Sequence, residues 1–239
     1  MNHVLQGDCL ELMKDIPDKS IDLVLTSPSY NMNLRIRNGK HCSRQIVKEL
    51  TTKYVSFADN LPMNEYFEFN KKVINECLRV SNLVFYNIQI LTGNKSAIYK
   101  LMGEFNENIK EIIVWDKVKA EPAIGESVLN SRFELILVLS SKEDAISRKF
   151  KSSNFKRGTL QNLFQIKKGA RIAKNHKAVF PRELAEKIIE NFTQRGEIVL
   201  DPLAGTGTTG VACQNLNRNF ILIEKEQEYI DIIKQRLTK

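Results

Sequence analysis

Histidine and cysteine are scarce in this chain. Among 239 residues there are three His (His3, His41, His176) and four Cys (Cys9, Cys42, Cys77, Cys213). They form no C-x-x-C pair and no His pair at metal-ligand spacing, so neither a structural zinc site nor any other bound metal is expected. The thiols read as reduced and the protein as cytoplasmic, because nothing resembles a disulfide framework. No run approaches 18 uninterrupted apolar residues, and the start, MNHVLQGDCLELMK, lacks the basic-then-apolar order of a signal peptide. One local absence is more telling. Residues 147–177 hold ten Lys or Arg and not one Asp or Glu.

What is present is ordinary globular material. Apolar residues make up 42% and charged residues 27%, with 36 Lys+Arg against 28 Asp+Glu for a net charge of +8. Since residues 147–177 supply +10, the remaining 208 residues sum to −2. That is a near-neutral body bearing one concentrated basic segment, which points to a polyanionic partner. The length suits a single domain, 1–239, with residues 31–60 and the basic stretch 141–177 as insertions.

Short apolar runs alternate with amphipathic stretches, the α/β pattern. Strands are predicted at Val4–Gln6, Ile21–Leu25, Leu83–Asn87, Glu111–Trp115, Phe133–Leu139, Glu197–Leu200 and Phe220–Ile223. The runs show little polar alternation, as in a mostly parallel sheet covered on both faces. Helices are predicted near Asn64–Arg79, Arg182–Phe192 and Glu226–Leu237.

The strongest motif is EIVLDPLAGTGTTGVACQNLNRNFILIE, residues 197–224. A strand enters Asp201-Pro202, then a loop with Gly205, Gly207 and Gly210 in G-x-G-x-x-G spacing, then a helix and a second strand ending at Glu224. This is the layout of a nucleotide-binding β-α-β unit whose acid takes ribose hydroxyls. The spacing fits a nicotinamide dinucleotide as well as S-adenosylmethionine. Asp201 at the strand end favours a cationic ligand over a pyrophosphate. The unit leaves only one helix after it, so its sheet must be completed by N-terminal residues. A second motif, IDLVLTSPSY (residues 21–30), delivers Ser27-Pro28-Ser29-Tyr30 at the carboxyl end of a buried strand, where open α/β sheets hold their ligands.

Together these motifs resemble the amino-group DNA methyltransferases that use S-adenosylmethionine, in particular the circularly permuted beta group with the catalytic motif ahead of the cofactor loop. TSPSY resembles the TSPPY motif of that group and DPLAGTGTTG its DPFxGxGT loop. Gly7-Asp8-Cys9, the segment NHKAVFPREL (175–184) and FILIEKEQEYIDIIKQRL also match, in family order. The resemblance implies a Rossmann-like methyltransferase fold, with a seven-stranded, mostly parallel sheet and helices on both faces. It also implies a cytoplasmic enzyme with S-adenosylmethionine as cofactor, acting on double-stranded DNA. A homodimer and a separately acting cognate restriction endonuclease are left open.

By the same resemblance, Ser27 and the Pro28 carbonyl would accept the N–H bonds of the target amine, and Ser29 and Tyr30 would complete the catalytic turn, Tyr30 stacking on an extruded base. Asp201, Pro202, Gly205, Thr206, Gly207 and Thr208 would cradle the methionine end of the cofactor. Glu224 would hold the ribose, Asp8 and Cys9 would border the adenine, and Phe180 and Pro181 would pack over it. Serine before proline goes with cytosine N4 in this family and Asp or Asn with adenine N6, so cytosine is favoured. Ser29 replaces a second proline and frees the local φ. Cytosine C5 chemistry needs a Pro-Cys nucleophile, and no Cys here follows Pro. For DNA contact the expectation falls on Arg35, Arg37, Arg148, Lys149, Lys151, Lys156, Arg157, Lys167, Lys168, Arg171 and Lys174. Residues 31–60 are expected to be mobile without DNA and to order over the base. Two other readings stay open: an NAD-binding oxidoreductase on the same fold, and an inactive DNA-binding module.

Overall fold

A computed structural model describes residues 2–32, 34–37, 40–43, 59–121, 126–169 and 181–238. In chain order the elements are β1 (Asn2–Gln6), α1 (Cys9–Leu12), β2 (Leu23–Thr26), β3 (Leu34–Arg37), β4 (Lys40–Ser43), α2 (Met63–Val80), β5 (Val84–Ile88), α3 (Lys95–Glu104), β6 (Ile109–Glu121), β7 (Ser131–Leu139), α4 (Lys142–Ala145), β8 (Leu163–Gln165), α5 (Arg182–Phe192), β9 (Ile198–Asp201), α6 (Thr208–Asn215), β10 (Asn219–Glu224) and α7 (Gln227–Leu237).

Eight strands form one sheet in the order β1-β10-β9-β2-β5-β7-β6-β8. Pairing is parallel except on the two sides of β7, which runs against β5 and β6. The seven predicted strands are all present. The eighth, β8, comes from the basic segment and adds beside β6 through Val114↔Leu163 and Asp116↔Gln165. Its three residues are too short for a sequence pattern to reveal. β1 pairs with β10 in register from Asn2↔Phe220 to Gln6↔Glu224, so N-terminal residues do complete the sheet beside the glycine-rich unit.

The absence of polar alternation in the strands has a direct structural cause. Val84, Tyr86 and Ile88 face one core, where Val73, Ile74 and Cys77 of α2 and Ile98 and Leu101 of α3 close over them. Phe85, Ile136 and Val138 face the other, under Leu184, Ile188 and Ile189 of α5, Ala212 of α6 and Ile233 of α7. With both faces covered, every position of β2 and β5 is buried. Within the 31–60 insertion, β3 and β4 pair as an antiparallel hairpin. The expected ordering of the rest of that insertion over a base falls largely outside the described residues.

Candidate active site

Parallel strands with crossover helices bring the carboxyl ends of β2, β5, β9 and β10 to one edge, and an open cleft lies there. It is lined by Gly7 to Cys9, Ser27 to Tyr30, Met32, Phe69, Pro202 to Thr206, Thr208, Ile223 to Glu226 and Tyr229. The two motifs, about 175 residues apart in the sequence, meet across it: the Thr26 hydroxyl donates to Asp201 Oδ1 at 2.8 Å.

The cofactor side is built from the glycine-rich turn. Gly205 and Gly207 have φ of +52° and +76°, which glycine alone adopts without strain. Gly207 caps α6, and a Cβ on it would lie 2.8 Å from Ile233; one on Gly210 would lie 2.6 Å from Leu222. These two glycines therefore serve close packing onto α7 and β10, and neither lines the cleft. The Gly205 N–H donates to Glu224 Oε2 at 2.8 Å, and the Lys225 and Glu226 N–H groups donate to Oε1. Glu224 is thus held rigidly at the cleft with a lone pair of Oε2 left over, although burial raises its pKa. Asp8 caps α1 by accepting from the Leu10 N–H at 3.0 Å. Burial pushes the Cys9 thiol up to about 12, so it stands there as a neutral wall.

Asp201 departs from the expected role. Its carboxylate does not line the cleft. It is buried, and it accepts from Thr26, from the Thr209 hydroxyl (2.6 Å) and from the Leu203 N–H (3.2 Å). Burial raises its pKa to about 6, against the pull of those donors. It shapes the loop from inside, because a strand-end carboxylate between two helix-bearing loops finds three donors nearer than solvent. Pro181 precedes α5 and does not line the cleft; Phe180 lies outside the described residues, as do Arg171, Lys174 and His176.

On the catalytic side, the turn after β2 is pinned by side chains outside either motif. Tyr66 Oη donates to the Ser29 carbonyl at 2.7 Å, and Asn94 Nδ2 to the Tyr30 carbonyl at 2.9 Å. This anchoring supplies rigidity that a second proline would otherwise give. Ser27 Oγ is 2.9 Å from Tyr30 Oη, which donates to Glu134 Oε2 at 2.8 Å. Asn87 Nδ2 donates to both Tyr30 Oη (2.7 Å) and Glu134 Oε2 (2.8 Å). Tyr30 was expected only to stack on a base. Its ring borders the cleft, but its hydroxyl is committed to this buried network, and burial beside Glu134 drives its pKa well upward. Asn87 and Glu134 escaped the sequence reading. The signal for them was there: a polar residue set in an apolar strand, Asn87 in VFYNI and Glu134 in FELILVL.

The basic segment divides between two edges of the sheet. Phe150 and Phe155 pack on Phe192 at the end of α5, with ring centroids 5.0 and 5.5 Å away. Asn154 Nδ2 donates to the Glu190 and Thr193 carbonyls, Arg148 pairs with Glu111 at 2.6 Å, and Lys151 pairs with Asp144 at 3.0 Å. All these partners sit where β6 and β9 begin, and the cleft lies where β9 ends. The run of β6 from Ile109 to Asp116, roughly 20 Å at the rise of an extended strand, separates the two. Arg148, Lys149, Lys151, Lys156 and Arg157 therefore lie on the edge away from the cleft. The interleaved Phe residues and ion pairs thus dock the first half of the segment apart from the cleft. β8 then carries the chain back across the sheet, leaving Lys167 and Lys168 exposed at the cleft edge. Exposed Lys119 and half-exposed Arg132, neither of them anticipated, stand at the same edge. Arg35 and Arg37 fall on β3.

A doubly covered sheet with a glycine-rich turn, Glu224 and a Ser-Pro turn across one cleft fits an S-adenosylmethionine-type methyltransferase. A family model described as DNA methylase, of the N6/N4 type, matches residues 21–235, and the chain belongs to that family. It is 30% identical over 262 residues to the type II methyltransferase M.HinfI of Haemophilus influenzae, covering 99% of this chain and 68% of that protein. It is 27% identical over 278 residues to M.BglII of Bacillus subtilis, covering 100% and 69%. Among solved structures, PvuII DNA methyltransferase (cytosine-N4-specific) superposes with a TM-score of 0.72 at 18% identity, over 99% of this chain and 86% of that one. The M1.HpyAVI–SAM complex superposes with a TM-score of 0.65 at 24% identity, over 99% and 100%. The protein is an S-adenosylmethionine-dependent DNA methyltransferase, and the nicotinamide reading falls.

The cleft suits that cofactor chemically. Glu224 keeps an acceptor for ribose hydroxyls, and Ile223 and Tyr229 offer apolar surface to a purine. Asp8, Glu224 and Glu226 outnumber Lys225 along the cleft, which favours a cationic ligand. The N-terminus of α6, with no acid in its first turn, is suited to a carboxylate.

Proposed function

We propose that this enzyme methylates the exocyclic N4 amine of cytosine at a specific site in double-stranded DNA, the base being swung out of the duplex into the cleft. The observation that carries the reading is the group offered by the catalytic turn: a serine hydroxyl, Ser27, where adenine-specific relatives offer Asp or Asn. The cytosine-N4-specific name of the PvuII enzyme, a structural neighbour, supports it.

Bound S-adenosylmethionine supplies an electrophilic methyl group. The protein's part is to make a poor nucleophile competent. The cytosine amine has its lone pair delocalised into the ring. Ser27 Oγ and the Pro28 carbonyl, accepting its two N–H bonds, favour a pyramidal nitrogen whose lone pair turns toward the methyl. The same two acceptors stabilise the positive charge that grows on nitrogen as it takes the methyl, and one N–H proton then leaves to solvent to give the neutral product. Fixing the partners in line supplies much of the remaining rate. Glu224, Asp8, Cys9, Gly205, Thr206 and Thr208 hold the cofactor in this reading, and Lys167 and Lys168 meet phosphates beside the cleft.

Mass spectrometry of nucleosides from treated DNA tests the proposal. N4-methylcytosine is the expected product; N6-methyladenine would overturn the base assignment in favour of the other branch of the family.

A further inference from the structure

Ser27, Asn87, Glu134 and Lys117 form a row across the neighbouring strands β2, β5, β7 and β6. Their order follows from topology alone: β7 is antiparallel, so Glu134, near its start, sits beside Asn87, at the end of β5. Trp115 pairs with Glu134 across β6 and β7, and Lys117, two residues on, shares that face. Its ammonium is buried and stands 3.7 Å from Glu134 Oε1. Regular strand geometry stops immediately after, at Val118, whose φ is +67° and whose N–H is taken by Asp116.

The hydrogen-bond directions in this row follow from the donors present, with Ser27 Oγ a more distant acceptor of Asn87 at 3.4 Å. A carboxylate only accepts, so the single Tyr30 proton goes to Glu134 Oε2. Asn87 spends its two amide protons on Tyr30 Oη and Glu134 Oε2, its closest acceptors. Tyr30 Oη then has acceptor capacity left and no proton to give. The Ser27 hydroxyl, 2.9 Å away, must therefore donate to it. With its proton directed inward, Ser27 Oγ presents only lone pairs to the cleft.

We propose that Glu134 is a positioning residue that fixes Ser27, through Tyr30, as an obligate hydrogen-bond acceptor toward the target amine, with Lys117 as the counter-charge that sets which way the carboxylate is used. The inference rests on the reading that Ser27 accepts from the amine. A hydroxyl free to rotate would spend part of its time donating toward that nitrogen, competing for the lone pair that must attack.

The variant Glu134→Gln tests this in an Asn87→Leu background. Lys117 can only donate, so the new amide oxygen turns to Lys117 and its NH2 faces Tyr30; Asn87, whose Nδ2 stands 2.8 Å from Glu134 Oε2, would otherwise flip and take the Tyr30 proton on its own amide oxygen. With Asn87 replaced, Tyr30 Oη accepts from the new amide and donates to Ser27, whose proton is turned out into the cleft. We expect adding Glu134→Gln to Asn87→Leu to lower kcat roughly 100-fold, the scale seen when one preorganised hydrogen-bonding group is lost, while the Kd for S-adenosylmethionine stays within about twofold. Tyr30→Phe, which removes one hydroxyl and keeps the ring, should lower kcat about tenfold, and once it is added to Asn87→Leu, Glu134→Gln should change kcat by less than about threefold. An unchanged kcat on adding Glu134→Gln to Asn87→Leu, or wild-type kcat in Tyr30→Phe, overturns the proposal. So does loss of cofactor affinity in proportion to kcat, or full additivity of Glu134→Gln and Tyr30→Phe, since a merely structural role predicts those. Ser27→Ala run alongside separates the two levels. Wild-type turnover there refutes the role given to Ser27 itself, whereas an inactive Ser27→Ala beside an undiminished Asn87→Leu with Glu134→Gln refutes only the relay.

Discussion

Replacing Asp201 by Asn should flatten the pH dependence of stability across the acid range. In the folded protein the Asp201 carboxyl has its pKa raised from 3.8 to about 6 because it is buried, and its three donors only partly offset that burial. Below about pH 4 the group is protonated in both folded and unfolded chains and contributes no pH dependence. Between about 4 and 6 the unfolded chain has released the proton and the folded one still holds it, so stability falls as pH rises. Above about 6 both are ionised and the full penalty stands. A shift of about two units corresponds to about 3 kcal/mol. Asparagine preserves the shape: its oxygen can accept from Thr26 and the Leu203 N–H, and its NH2 can donate to the Thr209 hydroxyl, which turns to accept. Urea unfolding at pH values from 3 to 8 should therefore show Asp201→Asn gaining about 3 kcal/mol on the wild type between the two ends. Other carboxylates titrate in both proteins and cancel in the comparison. Parallel stability curves would refute the reasoning. Calorimetric titration with S-adenosylmethionine supplies the second arm: affinity should stay within a few-fold, since the carboxylate shapes the loop and does not line the cleft. A hundredfold loss would show that the charge itself meets the cofactor. Asp201→Ala, by contrast, strands three buried donors at about 1–3 kcal/mol each and should weaken both stability and cofactor binding.

Ser27→Ala should cut turnover strongly with cofactor affinity near wild type, read by methyl transfer to DNA and by calorimetry. Gly210→Ala should lower stability by about 1–3 kcal/mol because its Cβ would lie 2.6 Å from Leu222; Gly207→Ala should cost more, since a left-handed φ adds to its clash with Ile233; chemical denaturation measures both. Lys167→Ala with Lys168→Ala should weaken DNA binding and flatten its salt dependence by up to about two phosphate contacts. Lys149→Ala, Lys156→Ala and Arg157→Ala together, on the far edge, should leave DNA affinity unchanged, and an equal loss from both sets would refute the division of the basic segment.

The fold class was legible because its causes are local. Buried parallel strands must be apolar on both sides, and a tight strand-to-helix turn against a ligand must be glycine-rich, so both leave marks in a single stretch of chain. The same locality made Ser27-Pro28 and Glu224 readable as residues of the cleft. The eighth strand left no such mark. Three residues carry no period, and β8 exists only because β6 offers an open edge.

Residue types and their spacing thus determined a methyltransferase-like sheet with two motifs to be brought together, and a basic segment to be put somewhere. Tertiary structure alone decided the rest. It turned Asp201 inward, where donors from β2 and α6 converge. It sent half of the basic segment to the far edge, because Phe150 and Phe155 found an aromatic partner in Phe192. It aligned Glu134 and Lys117 with Ser27, since an antiparallel β7 brings the start of one strand beside the end of another. Charge and hydropathy specify what a residue can do, but partners brought in from other elements decide which of those things it does.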